Sequence, residues 1–353
     1  MSRSIDKDLY THLKTDDSTP VYDDISTVLT ELPDTGLLEI ELLGKSHPLE
    51  PGVNYLRDGT AVAIPKLRLV QAFFVAREIL QNYLGGSTKS IGRDAIAASA
   101  VILLMDPEHL TAANVRKRAL MYTMENGKLD ERALKHEKQF VDTLLTARLH
   151  RHTKSPILWS HRRWLLKMWI AQDMPVDAEL DITQVVMVAG ERHPRNYTAW
   201  HHARFLTDVD RRGVGNIAVS VKEFCLRNHT DISAWEFLGF VIRKIDGEEK
   251  RREVCLSLLA DVLQMTESLR WTNESVWTFL RTTVATELIS EHQFESFIAV
   301  NEKLSSVTPQ HSPQRRILDR ARHWCHKYRL HHVSAREIGA RSDSPQALIH
   351  ANP

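Results

Sequence analysis

Histidine, cysteine, arginine and tryptophan are the side chains here whose placement could do chemistry. The densest metal-capable group is His323-Trp-Cys-His-Lys-Tyr-Arg-Leu-His-His332. His323 and His326 would share a helix face, but Cys325 lies off it, so a basic amphipathic helix accounts for the segment better than a zinc site. His201 and His202 are adjacent on an expected helix and cannot share one face, and with His161 they offer no converging ligand set. Gly85-Gly86-Ser87 reads as a helix stop, without the strand–turn–helix context or the lysine of a phosphate loop. No Ser/His/Asp or Cys/His grouping has a recognisable spacing. What remains is a recurring tryptophan with an arginine four residues later. That spacing puts a guanidinium beside an indole, where it could stack on the ring or pair with an acid of an adjacent repeat.

Trp159, Trp200, Trp235 and Trp277 are separated by 41, 35 and 42 residues. Periods of this size indicate a solenoid of helix pairs. Four residues before them stand Ser155, Asn196, Asp231 and Asn273, all helix N-cap types, and Pro156 follows the first of these caps. Four residues after them come Arg163, Arg204, Gly239 and Arg281, and five after come Trp164, Phe205, Phe240 and Thr282. A degenerate first unit has Ala113 at the tryptophan position, and its Arg116 and Lys117 match Arg162 and Arg163. A tetratricopeptide array is the structural rival, but its fixed period and Trp-x-x-Leu-Gly-x-x-Tyr core are absent.

The elements that must carry these units are helices. The 353 residues are 42% hydrophobic and 26% charged, ordinary for a globular protein. From Pro65 onward the pattern predicts helices near 65–84, 88–105, 107–125, 128–150, 156–171, 177–191 and 197–210. It continues through 215–227, 232–245, 248–266, 274–290, 291–305 and 313–333. Short connections make neighbours antiparallel. The expected fold is all-α, a right-handed superhelical solenoid of antiparallel helix hairpins. Three regions are expected: an irregular acidic N-terminal arm over 1–64, the solenoid over 65–305 with five repeats at about 105–290, and a basic C-terminal helix and flexible tail over 306–353. Residues 37–43 and 61–64 are candidate short strands. Residues 1–60 hold 12 Asp/Glu against 5 Lys/Arg, so the rest of the chain, whose total charge is +1, is basic by eight. The three cysteines, Cys225, Cys255 and Cys325, share no close spacing, which fits a reducing compartment. With no long apolar run, secretory signal or lipidated C-terminal cysteine read from the ends, a cytoplasmic chain with no membrane span is expected. No nucleic-acid motif accompanies the basic tail segment, so no nucleic acid is expected.

The units resemble the protein prenyltransferase α-subunit repeat, whose core reads Asn-Tyr-x-x-Trp-x-x-Arg-Arg. The copies Asn196-Tyr-Thr-Ala-Trp-His-His-Ala-Arg204 and Ser155-Pro-Ile-Leu-Trp-Ser-His-Arg-Arg-Trp164 carry the likeness. Thr-Ala-Ala-Asn-Val-Arg-Lys (111–117) and Lys-Ser-Pro-x-x-Trp-x-His-Arg-Arg-Trp (154–164) are closest to the divergent α-subunit repeat-containing branch. That branch is the α partner of a type III geranylgeranyltransferase.

The resemblance implies an α subunit inactive alone, a crescent wrapped around a Rab-type geranylgeranyltransferase β subunit. Zinc is expected in that partner, and no cofactor is expected on this chain. The shared site would bind an isoprenoid diphosphate and protein substrates, for geranylgeranyl transfer to cysteine thiols. Carried over by position, Lys154 matches a lysine that reaches toward the diphosphate and Tyr197 a tyrosine on the same side. No catalytic or metal-binding residue is carried over as certain. Ile157, Thr198 and Pro156 stand where farnesyltransferase-like subunits have glutamine, histidine and tyrosine, which weakens direct reading of a short C-terminal Cys-a-a-X tail. The alternative is a helical-repeat protein–protein interaction scaffold without prenyltransferase activity.

Overall fold

The computed structural model describes residues 17–342, apart from 34, 45, 46, 48, 51, 87–91 and 126, with the helical backbone only for 330–342. Most of the expected tail, the first sixteen residues of the expected arm and Ser87 lie outside the described residues. The described residues are mostly helical, in the expected all-α class, and form two compact units. One ends at Ala203 and the other begins at Arg204.

The first unit opens with helix α1 (Thr19–Thr30) and a small sheet of β1 (Glu39–Leu43), β2 (Leu56–Asp58) and β3 (Ala61–Pro65). The sheet order is β1-β3-β2, parallel then antiparallel. Ile40, Val62 and Ile64 point from one face into the core, as the period of two requires. Next come α2 (Lys66–Gly85), α3 (Arg93–Met105), α4 (Leu110–Tyr122), α5 (Glu131–Leu145) and α6 (Pro156–Ile170). Two short helices, α7 (Ala178–Asp181) and α8 (Met187–Arg192), are joined by a π turn over Ile182–Val186. Helix α9 (Tyr197–Val209) begins in this unit. The second unit continues with α10 (Val214–Arg227), α11 (Ile232–Lys244), α12 (Glu248–Ser268), α13 (Glu274–Val284), α14 (Glu291–Val307) and α15 (Pro313–Ser342).

Helix α1 lies where an irregular arm was expected. Its buried Val21, Tyr22, Ile25, Val28 and Leu29 follow helical periodicity, and Pro20 sits in its first turn, where a missing N–H costs nothing. The described part of this region is not a free arm. The Arg148 N–H donates to the Ile40 carbonyl (2.9 Å) and the Gln139 amide to the Pro33 (2.6 Å) and Gly36 (2.9 Å) carbonyls, docking it on α5 and the turn after it.

Tryptophan-position helices pack on one another within each unit, α4 on α6 in the first and α11 on α13 in the second, where α10 also packs on α12. The same hydrogen-bond knot occurs in each unit. Thr153, six residues before Trp159, offers a carbonyl that accepts from the Trp159 indole N–H (2.8 Å) and from the amide of Asn196, the cap of the next unit (2.6 Å). His229, six before Trp235, does the same for the Trp235 indole (3.0 Å) and the Asn273 amide (2.8 Å). Pro107, six before Ala113, accepts from the Ser155 hydroxyl (2.9 Å), and the Trp277 indole donates to the Trp271 carbonyl (2.9 Å). Ser155 and Asn196 therefore have two jobs. Ser155, Asn196 and Asp231 also accept backbone N–H groups of their own helices, at 3.0–3.2 Å. Asn273 departs from that reading: its oxygen faces His229 Nδ1 (3.1 Å) rather than a helical N–H.

Three of the cations four residues after the tryptophan position lie over an aromatic ring of the next element. Lys117 is over Trp164 (5.7 Å), Arg204 over Phe240 (4.8 Å) and Arg281 over Trp324 of α15 (4.9 Å). The ring in the first two pairs is the residue five after the next unit's tryptophan. Helix α15 closes the array by burying Leu318, Ala321 and Cys325 against α13 and α14. Its arginines are largely spent in ion pairs: Arg315–Asp319 (3.1 Å), Arg320–Glu274 (3.2 Å) and Arg329–Glu291 (3.1 Å).

Asn196→Asp isolates the knot, because it keeps the capping oxygen but loses the donor and sets a buried carboxylate against the Thr153 carbonyl. We expect a loss of about 2 kcal/mol or more, read as a fall in thermal midpoint. A variant as stable as the parent would show that the shared carbonyl contributes nothing.

Candidate functional site

Three helix N-termini of the first unit, those of α4, α6 and α9, meet at one open cleft of about 350 Å³. Glu108, Arg151, Lys154, His193, Arg195 and Tyr197 are among its lining residues. Glu108, Lys154 and Arg195 each stand five residues before their unit's tryptophan position, so the repeat itself sets them in a row. Arg195 has a left-handed backbone (φ 61°), and its carbonyl accepts the Tyr197 N–H (2.9 Å). A non-glycine residue there stores roughly 1 kcal/mol or more of strain. Tyr197 projects into solvent with 74% of its surface exposed. Arg151 pairs with Asp106 (3.0 Å), and His193 Nδ1 meets His150 Nε2 (2.9 Å). The cleft joins cations, an aromatic face and the positive ends of helices, a setting suited to an anionic group.

Beneath it, buried ions set the angles of the helices. Arg162, fully buried on α6, donates Nε–H to Asp142 of α5 (2.6 Å) and pairs with Asp181 at the end of α7 (3.0 Å). Its Nη1 meets His202 Nε2 of α9 (2.8 Å). Lys138 bridges the two aspartates at 2.8 and 2.9 Å. Burial works against charge on Asp142, but Arg162 and Lys138 outweigh it and hold the carboxyl below its usual range. One unit earlier Arg116 repeats the arrangement. It makes a two-pronged bond to Glu137 (2.9 and 2.7 Å) and lies 3.7 Å over Phe140. These networks position α6 and α9, and with them Lys154 and Tyr197.

Three buried histidines sit in or beside these networks. Burial pushes His152 and His161 down to about 4 and His202 well below its ordinary value, so their rings are neutral at pH 7. Cys325 is buried, its thiol pushed up to about 12, and it donates to the Arg281 carbonyl (3.5 Å). Among the described residues, no three His, Cys, Asp or Glu side chains are placed to hold a metal ion.

Of the residues singled out in sequence, Lys154 and Tyr197 line one cleft although 43 positions apart, and Thr198 joins them. The buried Trp159, Trp200, Trp235 and Trp277 and the caps are packing residues. Arg163, Arg204 and Arg281 are part-exposed; the deeply paired arginines are Arg116 and Arg162, one position earlier. Arg151, Arg195 and Glu108 were missed. Aligning the units on the tryptophans would have put Glu108 and Arg195 level with Lys154.

Residues 158–263 match the protein family described as the ECM9 middle domain. The chain is also similar to proteins named protein prenyltransferase alpha subunit repeat-containing protein 1. It is 29% identical to that of Danio rerio over 148 residues, which is 36% of this chain and 32% of the relative. To that of Homo sapiens it is 26% identical over 173 residues, 43% and 40% of the two chains. To the 1-B form of Xenopus laevis it is 25% identical over 176 residues, 43% and 38%. The matches span about a third to two fifths of these relatives' length, and they bear out the resemblance read from the repeats. No described helix is long and apolar enough to cross a membrane.

Neutral buried rings make stability fall with acid. Their pKa values lie below that of the free side chain, so the unfolded chain takes up protons first. Stability is full above about pH 6.5 and is lost progressively toward pH 4, by on the order of 3 kcal/mol for each of His152 and His161. Glu137 and Asp142, held below their ordinary values, add their loss only at lower pH. Thermal midpoints from pH 8 to 4 check this, with a shallower decline expected for His161→Gln. A flat profile down to pH 4 would contradict neutral burial.

Proposed function

We propose that this chain is the α-type subunit of a heterodimeric protein prenyltransferase, without catalytic activity of its own. The observation that carries this reading is the meeting of Lys154 and Tyr197 in one cationic cleft. In the reaction a cysteine thiolate of the protein substrate attacks C1 of a geranylgeranyl diphosphate, the C1–O bond breaks, and the diphosphate leaves with its added charge. Lys154, on the exposed turn before α6, supplies a mobile point charge to that leaving group. Arg195 and Arg151 widen the positive field, and Tyr197 offers a hydroxyl and a ring face. The partner would be a Rab-type β subunit, and zinc held there would supply a Lewis acid that favours the thiolate. The departures at Ile157 and Thr198 fit a protein substrate presented through broad contacts rather than a short tail. The setting is the cytoplasm.

Coexpression with a Rab-type β subunit tests this. The pair is expected to copurify and to transfer a geranylgeranyl group to a cytosolic protein acceptor. Lys154→Ala should cut turnover at least tenfold, about 1.4 kcal/mol of transition-state stabilisation, with assembly intact. Assembly with unchanged turnover in Lys154→Ala would instead favour a scaffold role.

A further inference from the structure

We propose that the outward face of α4 and α6 docks an acidic protein surface. Neither helix contains a single Asp or Glu, in a chain with 45 of them. Their two buried arginines, Arg116 and Arg162, are paired inward, so the outward cations are additional. Among the described residues, Lys117, Arg118 and Lys167 have no carboxylate partner. The described arginines of α15 contrast with this, being mostly ion-paired within the chain.

The same face carries large apolar groups. Leu110 is 53% exposed and Met121 41%, and Trp164 is half-buried beneath the Lys117 ammonium. Lys117 is itself half-buried, which lowers its pKa and leaves its charge poorly hydrated before any partner arrives. Tryptophan, methionine and arginine are enriched in the centres of protein interfaces, and depletion of one charge sign selects a partner of the other. A membrane-docking face would separate its apolar row from outward-reaching lysines. Here cation and aromatic ring are stacked together, which favours a protein. This extends the pairing reading above by naming the chemistry of the partner's surface: carboxylates around an apolar centre.

The test uses the full chain and two partners. The first is a short synthetic helical peptide of Glu, Leu and Trp; the second is a coexpressed Rab-type β subunit. Arg118→Glu/Lys167→Glu should weaken peptide binding at least tenfold and abolish copurification, while Lys154→Ala keeps both. The control Lys250→Glu/Lys327→Glu, with the same change in net charge, should alter peptide binding less than twofold. All four substituted positions of the two double variants are exposed, and circular dichroism checks that the variants fold. Absence of peptide binding, equal loss in both double variants, or undiminished β copurification with the face variant would overturn the proposal. So would failure with the peptide alongside face-dependent binding to phosphatidylserine vesicles, which would assign the face to a membrane. If no β subunit copurifies with the parent chain but the peptide series behaves as expected, the pairing reading fails and the docking face stands.

Discussion

A backbone carbonyl has two lone pairs, and this fold depends on using both at one repeated place. The carbonyls of Thr153 and His229, six residues before Trp159 and Trp235, each accept that tryptophan's indole N–H and the cap side chain of the next unit. One oxygen thereby fixes a ring within its own unit and the start of the following helix. Because that helix start is also where the chain before it emerges, a cap held this way sets the place of the residue just upstream of it, as at Lys154 before Ser155 and Arg195 before Asn196. Glu108, Lys154 and Arg195 occupy that place in three successive units, and so come to share a cleft. The fold does not build this site separately; the site is what the repeat leaves at its edge.

Charge is handled in two ways by the same helices. On the inner side, Arg116 and Arg162 are fully buried and satisfied by carboxylates from α5 and α7. Such pairs add little net stability against an apolar core, but removing one partner leaves a buried charge and costs several kcal/mol. Their value is geometric, since a forked guanidinium admits few arrangements of the helices around it. On the outer side the cations are stacked on rings or left to solvent. A single stretch, Arg162-Arg163, passes from a fully buried arginine to a part-exposed one within one residue, because adjacent positions on a helix point about 100° apart.

Much of this was legible in the sequence. Helix positions from α2 onward followed from apolar periodicity and from the Gly and Pro stops, and the caps Ser155, Asn196 and Asp231 were visible from their spacing to tryptophan. Helix α1 was missed because an acidic, Ser/Thr-rich composition masked an intact helical pattern at Val21, Ile25 and Leu29. The arginine one position before the expected one proved the buried member, since nothing local reveals which of two adjacent arginines meets a carboxylate from another helix. Lys154 and Tyr197 were named through resemblance. Arg151 and Arg195 were invisible to it, because their role is set by a turn geometry, including the left-handed Arg195 backbone, that one-dimensional spacing does not carry.

The knot also frees chain length to change. It engages only the carbonyl, the indole and the next cap, and none of these bonds reads how many residues the intervening outer helix and its loops contain. Insertions or deletions there alter the distance between tryptophans without breaking these bonds. The units joined by such a bond have tryptophan positions 46, 41 and 42 residues apart (113 to 159, 159 to 200 and 235 to 277), and that variation is then no defect of the repeat. The bonds hold a few atoms per unit and leave the length of the rest unconstrained, so units of unequal length can still join in the same way.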